Sequence, residues 1–224
     1  LTSMNKQIYL INGLESESYE QFTARMMDAA DSIVNQVEVL KLTLTKTPPP
    51  LVSIIPFKKK KVAAFSVYSE SEALLQELAQ SSGFAGAYNV EEAIPRAYKR
   101  DWEDKSFTPG ICLFTLFKQK QDISYDAFIH FWHEVHTPLS LKILPLWNYN
   151  RNVVKQERTE DSVHWDGIVE EQFKTRSDLL NPFKFFGNPL IMFYRMWQVY
   201  IDTKSFLDYD SIEPYFAHEI HIKS

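Results

Sequence analysis

The residue best placed to move a proton is His136. It lies in a segment, Ser124 to Lys142, where Phe128, Trp132, Val135 and Leu139 recur at spacings of three and four, the pattern of a helix with one buried face. At about 100° per residue, His136 falls on the shoulder of that stripe and turns partly inward. An imidazole there suits general acid or base work near neutral pH. The plainer reading is a helix-edge histidine satisfied by a backbone carbonyl. His133 and His130 fan progressively toward the opposite side, so the three rings do not converge on a metal ion. His133-Glu134-Val135-His136 also lacks the two residues between Glu and the second His that a zincin helix requires. No metal is expected.

The strand after this helix, Leu146 to Val154, carries Asn148, Asn150 and Asn152 on one face and Trp147, Tyr149, Arg151 and Val153 on the other. Amides at alternate positions either line a polar cavity or face water at an edge. Glu170 and Glu171 follow Ile168-Val169 on the next strand, and consecutive strand positions point to opposite faces, so one of the two carboxylates points inward. A buried carboxylate has to be paired, hydrogen-bonded or protonated. That glutamate is either a partner for His136 and an acid or base in its own right, or half of a salt bridge with Arg151 or Lys155. Glu170 is the candidate carried forward beside His136. The stretch Asn181 to Tyr200 holds Phe183, Phe185, Phe186, Met192, Phe193, Met196 and Trp197, which either close a core or wall a pocket for a flat apolar ligand. Trp132, Tyr149, Asn152, Phe186 and Trp197 are the candidate substrate-binding residues. Cys112 sits in an apolar strand with no neighbouring cation, the setting of an inert buried thiol.

Elements of two kinds must position these groups. Ile8 to Ile11 reads as a strand apolar on both faces. A helix opens at Ser16 or Ser18 and runs to about Val34, with Tyr19, Phe22, Met26, Ala29 and Ala30 at helical spacing. Strands are predicted at Val37 to Leu44 and Val62 to Tyr68, separated by Pro48-Pro49-Pro50 and the run Lys58 to Lys61, which predict an extended, solvated, mobile connection. A helix from Ser71 to Gln80 and a strand from Ala87 to Ile94 complete a βαββαβ order. The order recurs from Ile111 to Phe117 onward. Ser18-Tyr19-Glu20-Gln21-Phe22 matches Ser124-Tyr125-Asp126-Ala127-Phe128 at an offset of 106, and Tyr88 and Glu92 match Tyr215 and Glu219 at an offset of 127. The second copy is therefore longer by about twenty-one residues, placed in Asn181 to Tyr200.

A βαββαβ unit leaves one sheet face bare, and strands apolar on both faces demand a second cover. The expected fold is α+β: two βαββαβ units, residues 5–100 and 109–224, packed sheet to sheet as a fused pseudo-dimeric sandwich or barrel. Two independent domains joined near Trp102 to Phe107 are the alternative. The chain has 224 residues, 45% apolar and 24% charged, with net charge −5, so neither disorder nor a nucleic-acid partner fits. One cysteine gives no internal disulfide. No apolar stretch reaches the length of a transmembrane helix and no leader pattern opens the chain, so a cytoplasmic protein without a membrane partner is expected.

The motifs Phe128-x3-Trp132-x3-His136-Thr137-Pro138-Leu139, Tyr149-x2-Asn152-Val153-Val154 and Trp165-Asp166-Gly167-Ile168-Val169-Glu170-Glu171-x-Phe173, with Phe206-Leu207-Asp208-Tyr209-Asp210-Ser211-Ile212 and Glu219, resemble the EthD family. The resemblance covers 109–224. Residues 5–100 look like a degenerate copy in which Met26 and Ala30 stand where the later helix has Trp132 and His136. The resemblance implies two ferredoxin-like repeats in a fused pseudo-dimeric α/β barrel, the dimeric α/β-barrel fold shared by cofactor-free monooxygenases, muconolactone isomerases, polyketide cyclases and some haem proteins. No haem-attachment motif is present, and no cofactor is expected. The function implied is a small-molecule enzyme using a histidine acid or base on an apolar or aromatic substrate, of isomerase, cyclase, dehydratase or cofactor-free oxygenase type. A non-catalytic metabolite-binding or accessory protein is the alternative. A homodimer of the fused unit is a further expectation.

Overall fold

The computed structural model describes residues 6–68 and 71–224; Asn5, where the first expected unit begins, lies outside them. Strand β1 (Lys6–Asn12) leads into helix α1 (Tyr19–Ile33), and strands β2 (Leu40–Leu44) and β3 (Val62–Tyr68), helix α2 (Glu72–Ala79) and strand β4 (Phe84–Arg96) follow. The second run is β5 (Ile111–Phe117), α3 (Tyr125–His130), a π-helical turn (Phe131–His136), α4 (Thr137–Ile143), β6 (Asn148–Glu157) and β7 (Gly167–Phe173). It ends with α5 (Arg176–Leu180), α6 (Pro182–Phe185), α7 (Pro189–Lys204) and β8 (Glu213–Lys223).

The serines predicted to open the two long helices do so by the same device. Ser18 Oγ accepts from Gln21 N at 3.1 Å and Ser124 Oγ from Ala127 N at 3.2 Å, each satisfying an N–H that has no partner within the helix. The enlarged helical region of the second half is α5 to α7, close to its predicted place.

The strands form one closed barrel in the order β1-β3-β2-β8-β5-β7-β6-β4. Each half contributes its strands in the order fourth, first, third, second, and every pairing is antiparallel. The halves join edge to edge, β2 on β8 and β4 on β6, so no strand edge is left to pair with another chain. This α+β barrel replaces the alternative of two independent domains.

Strand alternation sorts the side chains into three cores. Ile8, Leu10, Ala64, Tyr88, Phe114, Ile168, Tyr215 and Ala217 fill the barrel. Phe22, Met26, Ala30, Leu74 and Leu78 cover the outer face of the first half. Phe128, Trp132, Tyr149, Phe173, Phe185, Phe206 and Phe216 cover that of the second. Gly167 opens β7 directly beneath the Phe117 ring, where an added Cβ would come within 2.2 Å of it. That close approach seats Phe117 against Trp132, with ring centroids 4.9 Å apart.

Two local expectations are corrected. The helix carrying His136 is not uniformly α: Thr137 N–H donates to Trp132 O, five residues back. Pro138 has no N–H to give to Glu134 and its ring crowds that carbonyl, which the wider turn accommodates. Val135 is consequently exposed and leaves the stripe, while Trp132 stays buried. The connection after β2 is also more than a solvated tether. Leu51 and Val52 are exposed, but Phe57 packs edge-on against Phe216 at 5.6 Å and Lys58 N–H bonds to Pro214 O at 2.8 Å. No helix among the described residues is long and apolar enough to cross a membrane.

Candidate functional site

Between the outer face of β5, β6 and β7 and the helices of the second half lies a cavity of about 400 Å³, within the range of small-molecule sites. Its floor is Leu113, Thr115, Phe117, Tyr149, Val169 and Glu171; its walls are Trp132, His136 and Ser140 on one side and Phe185, Phe186, Met196, Val199, Tyr200 and Thr203 on the other. Ile54, Ile55 and Pro56 from the connection after β2 close over it. No lysine or arginine is among the described lining residues.

His136 is held at both ring nitrogens. Nδ1 lies 2.5 Å from Asp202 Oδ2 on α7, and Nε2 lies 3.1 Å from Ser140 Oγ, one turn further along its own helix. With Nδ1–H donating to the carboxylate, Nε2 is the basic nitrogen and accepts from the Ser140 hydroxyl. Asp202 is almost wholly buried, at 7% side-chain exposure, and its Oδ1 has no hydrogen bond among the described residues. The Phe206 ring, 5.2 Å from the imidazole, backs it on the core side. Asp202, His136 and Ser140 therefore form a relay ending at the cavity.

The two neighbouring glutamates part company as alternation requires. Glu170 faces the barrel interior, where it takes Lys41 Nζ at 2.7 Å and Thr43 Oγ1 at 2.5 Å. Lys6 bonds to Glu92 at 2.6 Å, and Glu219 accepts from Tyr98 and Thr108 at 2.6 and 2.9 Å. Burial alone would depress Lys41, yet the charges of Glu170 and Glu219 hold it well above the usual lysine range. Burial would raise Glu92, but Lys6, Tyr68 and Asn150 bring it down to about 2. Glu171 faces the cavity instead, and burial pushes its carboxyl up to about 7.

Four of the residues singled out from sequence meet here: His136, Trp132, Tyr149 and Phe186. Three lie elsewhere. Glu170 is on the other side of the sheet and cannot orient His136. Asn152 points into the barrel, donating to Ile168 O at 3.0 Å; Asn150 also faces inward and donates to Glu92 at 2.6 Å. Trp197 is on the outer side of α7, 61% exposed, with Leu190, Phe193 and Tyr194 also exposed. Asp202, Ser140 and Glu171 are the site residues that sequence reasoning missed or passed over. Asp202 stands 66 residues from His136; its one signal was a carboxylate in a helix otherwise nearly free of charge, Pro189–Lys204. Cys112 is buried on the barrel side of β5, and burial holds its thiol well above the usual range. Among the described residues no group of three or more His, Cys, Asp or Glu could hold a metal ion.

Comparison with known proteins adds the following. Two solved structures resemble the whole chain: a putative monooxygenase from Fusobacterium nucleatum, 10% identical over 100% of this chain and 94% of that one with a TM-score of 0.53, and an anthrone oxidase-like protein, 9% identical over 98% and 92% with a TM-score of 0.57. At such identities they establish a shared fold. No curated protein matches. Residues 120–191 match the family described as the EthD domain, a span that includes His136, Ser140, Tyr149, Glu171 and Phe186 and stops before Asp202. Residues 120–191, within the second half of this chain, are thus similar to the EthD domain.

Proposed function

We propose that the protein is a small-molecule enzyme in which His136 moves a proton to or from an apolar or aromatic substrate. The observation that carries this reading is the imidazole fixed at Nδ1 by a buried carboxylate, with Nε2 turned to a hydroxyl at the wall of an apolar cavity. A histidine so oriented is pre-set in one tautomer and pays no reorganisation when it accepts a proton, and Asp202 stabilises the imidazolium that forms. Ser140 either steps aside for the substrate or passes its own proton to Nε2 while taking one from the substrate. Trp132, Tyr149, Phe185 and Phe186 present flat apolar surface, which favours a ring system.

Proton abstraction from an acidic carbon or hydroxyl starts isomerisation, cyclisation, dehydration and cofactor-free oxidation alike. The names of the two structural neighbours, a putative monooxygenase and an anthrone oxidase-like protein, lean toward the last. We further propose that the two βαββαβ runs, 5–100 and 109–224, are copies of one ferredoxin-like unit. The recurrence of strand order and of the serine-capped helices supports it.

The test is deuterium incorporation into a panel of aromatic ketones and phenols in D₂O, followed by mass spectrometry, for wild type and His136→Ala. Exchange that depends on His136 supports the enzyme. Tight binding without exchange in either protein leaves a metabolite-binding protein.

A further inference from the structure

We infer that Glu171 is a second catalytic residue of this cavity: its carboxylic acid donates a hydrogen bond to the carbonyl oxygen of the substrate, whose class is an uncharged, enolisable aromatic ketone. The inference rests on His136 as the base, described above.

Its ground is geometric. Glu171 stands opposite Leu113 of β5 and Tyr149 of β6 in the ladder, on the helix-facing side of the sheet, and lines the cavity at 8% exposure. Its neighbour Glu170, on the barrel side, is fully provided with a lysine and a threonine. Among the described residues Glu171 has no hydrogen bond or ion pair, and the titratable groups that share its cavity, His136, Tyr149, Tyr200 and Tyr209, include no lysine or arginine. A carboxylate in such surroundings takes up a proton, and burial pushes the Glu171 carboxyl up to about 7. The neutral acid then holds an O–H with no acceptor among the described residues, which is costly in a buried site unless a ligand supplies the acceptor.

The substrate class follows. An anionic ligand would meet Glu171 and no cation, whereas an uncharged ring bearing one acceptor oxygen satisfies the acid and the apolar walls together. With the acid on the floor of the cavity and the base on a wall, the reaction balances without any co-reactant. The C–H bond next to the carbonyl breaks toward His136 Nε2, its electrons form the C=C bond, and the carbonyl oxygen takes the Glu171 proton. The enol, an imidazolium and a glutamate result; return of a proton to carbon and of the enol proton to Glu171 restores both groups.

Two measurements test this. In the free protein, the infrared carbonyl band of a protonated carboxyl should be present at about pH 5.5, gone by about pH 8.5, and missing in Glu171→Gln; a Glu171 already ionised at about pH 5.5 overturns the inference. The second uses 2-tetralone, its apolar counterpart tetralin, and deuterium exchange at the tetralone C1 position. Glu171→Leu should weaken tetralone binding about tenfold and leave tetralin unchanged, the worth of one buried hydrogen bond. Glu171→Gln should keep the binding, lose its pH dependence and exchange about a hundredfold more slowly. His136→Ala should keep pH-dependent tetralone binding and lose exchange. If Glu171→Leu binds and exchanges tetralone like wild type, the role of Glu171 is wrong while the His136 base stands. If Glu171-dependent binding is seen but wild type does not exchange, the base is wrong and the catalytic role of Glu171 falls with it. Failure of tetralone to bind overturns the substrate class.

Discussion

The two helix-covered faces of this barrel are built on the same plan and end in opposite states. In the first half, Phe22, Met26 and Ala30 descend from a serine-capped helix onto the sheet and are fully buried. In the second, the positions at an offset of 106 are Phe128, Trp132 and His136. Val67, which faces Gln7 of β1 as Glu171 faces Leu113 of β5, is an ordinary apolar core residue. One face is filled by buried apolar side chains; the other keeps a cavity lined by Glu171 and His136. The difference lies in the cover. Beside α1 the first face has one short helix, α2, whereas beside α3 and α4 the helices α5 to α7 arch over the second and bring Asp202 to His136. A larger cover held off the sheet leaves room for a ligand; a short one lets the side chains meet.

That contrast can be broken from either side. The largest effect is expected from His136→Ala, with turnover down about 10²- to 10⁴-fold and the urea midpoint lowered because buried Asp202 loses its partner, whereas Ala30→His, its mirror image, creates no activity. Activity surviving in His136→Ala would remove the distinction. Trp132→Ala and Met26→Ala should each cost about 2–5 kcal/mol by chemical denaturation, and ligand binding should fall only with Trp132.

Glu171 gives the contrast a pH signature. Its folded carboxyl, raised by burial to about 7 from the ordinary value of 4.5, binds more protons than the unfolded chain does between those values. Its contribution is fully present below about pH 4.5 and is lost as pH rises through about 7, a fall of about 3 kcal/mol. Glu171→Gln should flatten that window, and Val67→Gln should leave it in place. His218, lowered to about 4 by burial, acts with the opposite sign in both proteins and cancels in the comparison. Asp202→Asn should slow turnover about 10- to 100-fold by releasing the ring. Ser140→Ala is expected to cost less than about tenfold; complete loss would make Ser140 a nucleophile instead of a relay.

Local chemistry was legible wherever a residue's role depends on its own helix or strand. The serine caps, the alternation that sends Glu170 and Glu171 to opposite faces, and the placing of Trp132 and His136 on one helix side were all written in spacing. The choice of Glu170 over Glu171 was not, because alternation says that two neighbours diverge and not which side holds the lysines. Lys41, 129 residues away from Glu170, settles that. Asn152 and Trp197 went astray for the same reason: each lies on a face whose partner is supplied by distant chain.

The sequence by itself determined the element order, the capped helices, the inward aromatic stripe and the resemblance of the later half to a known domain, since all of these depend on near neighbours and on the fixed periods of helix and strand. Only the tertiary structure decided that the halves join through β2 on β8 and β4 on β6, that a π turn just before Pro138 re-aims the helix, and that Asp202 rather than a strand glutamate orients His136. Those outcomes depend on which surfaces meet after long loops are closed, and spacing along the chain carries no record of that.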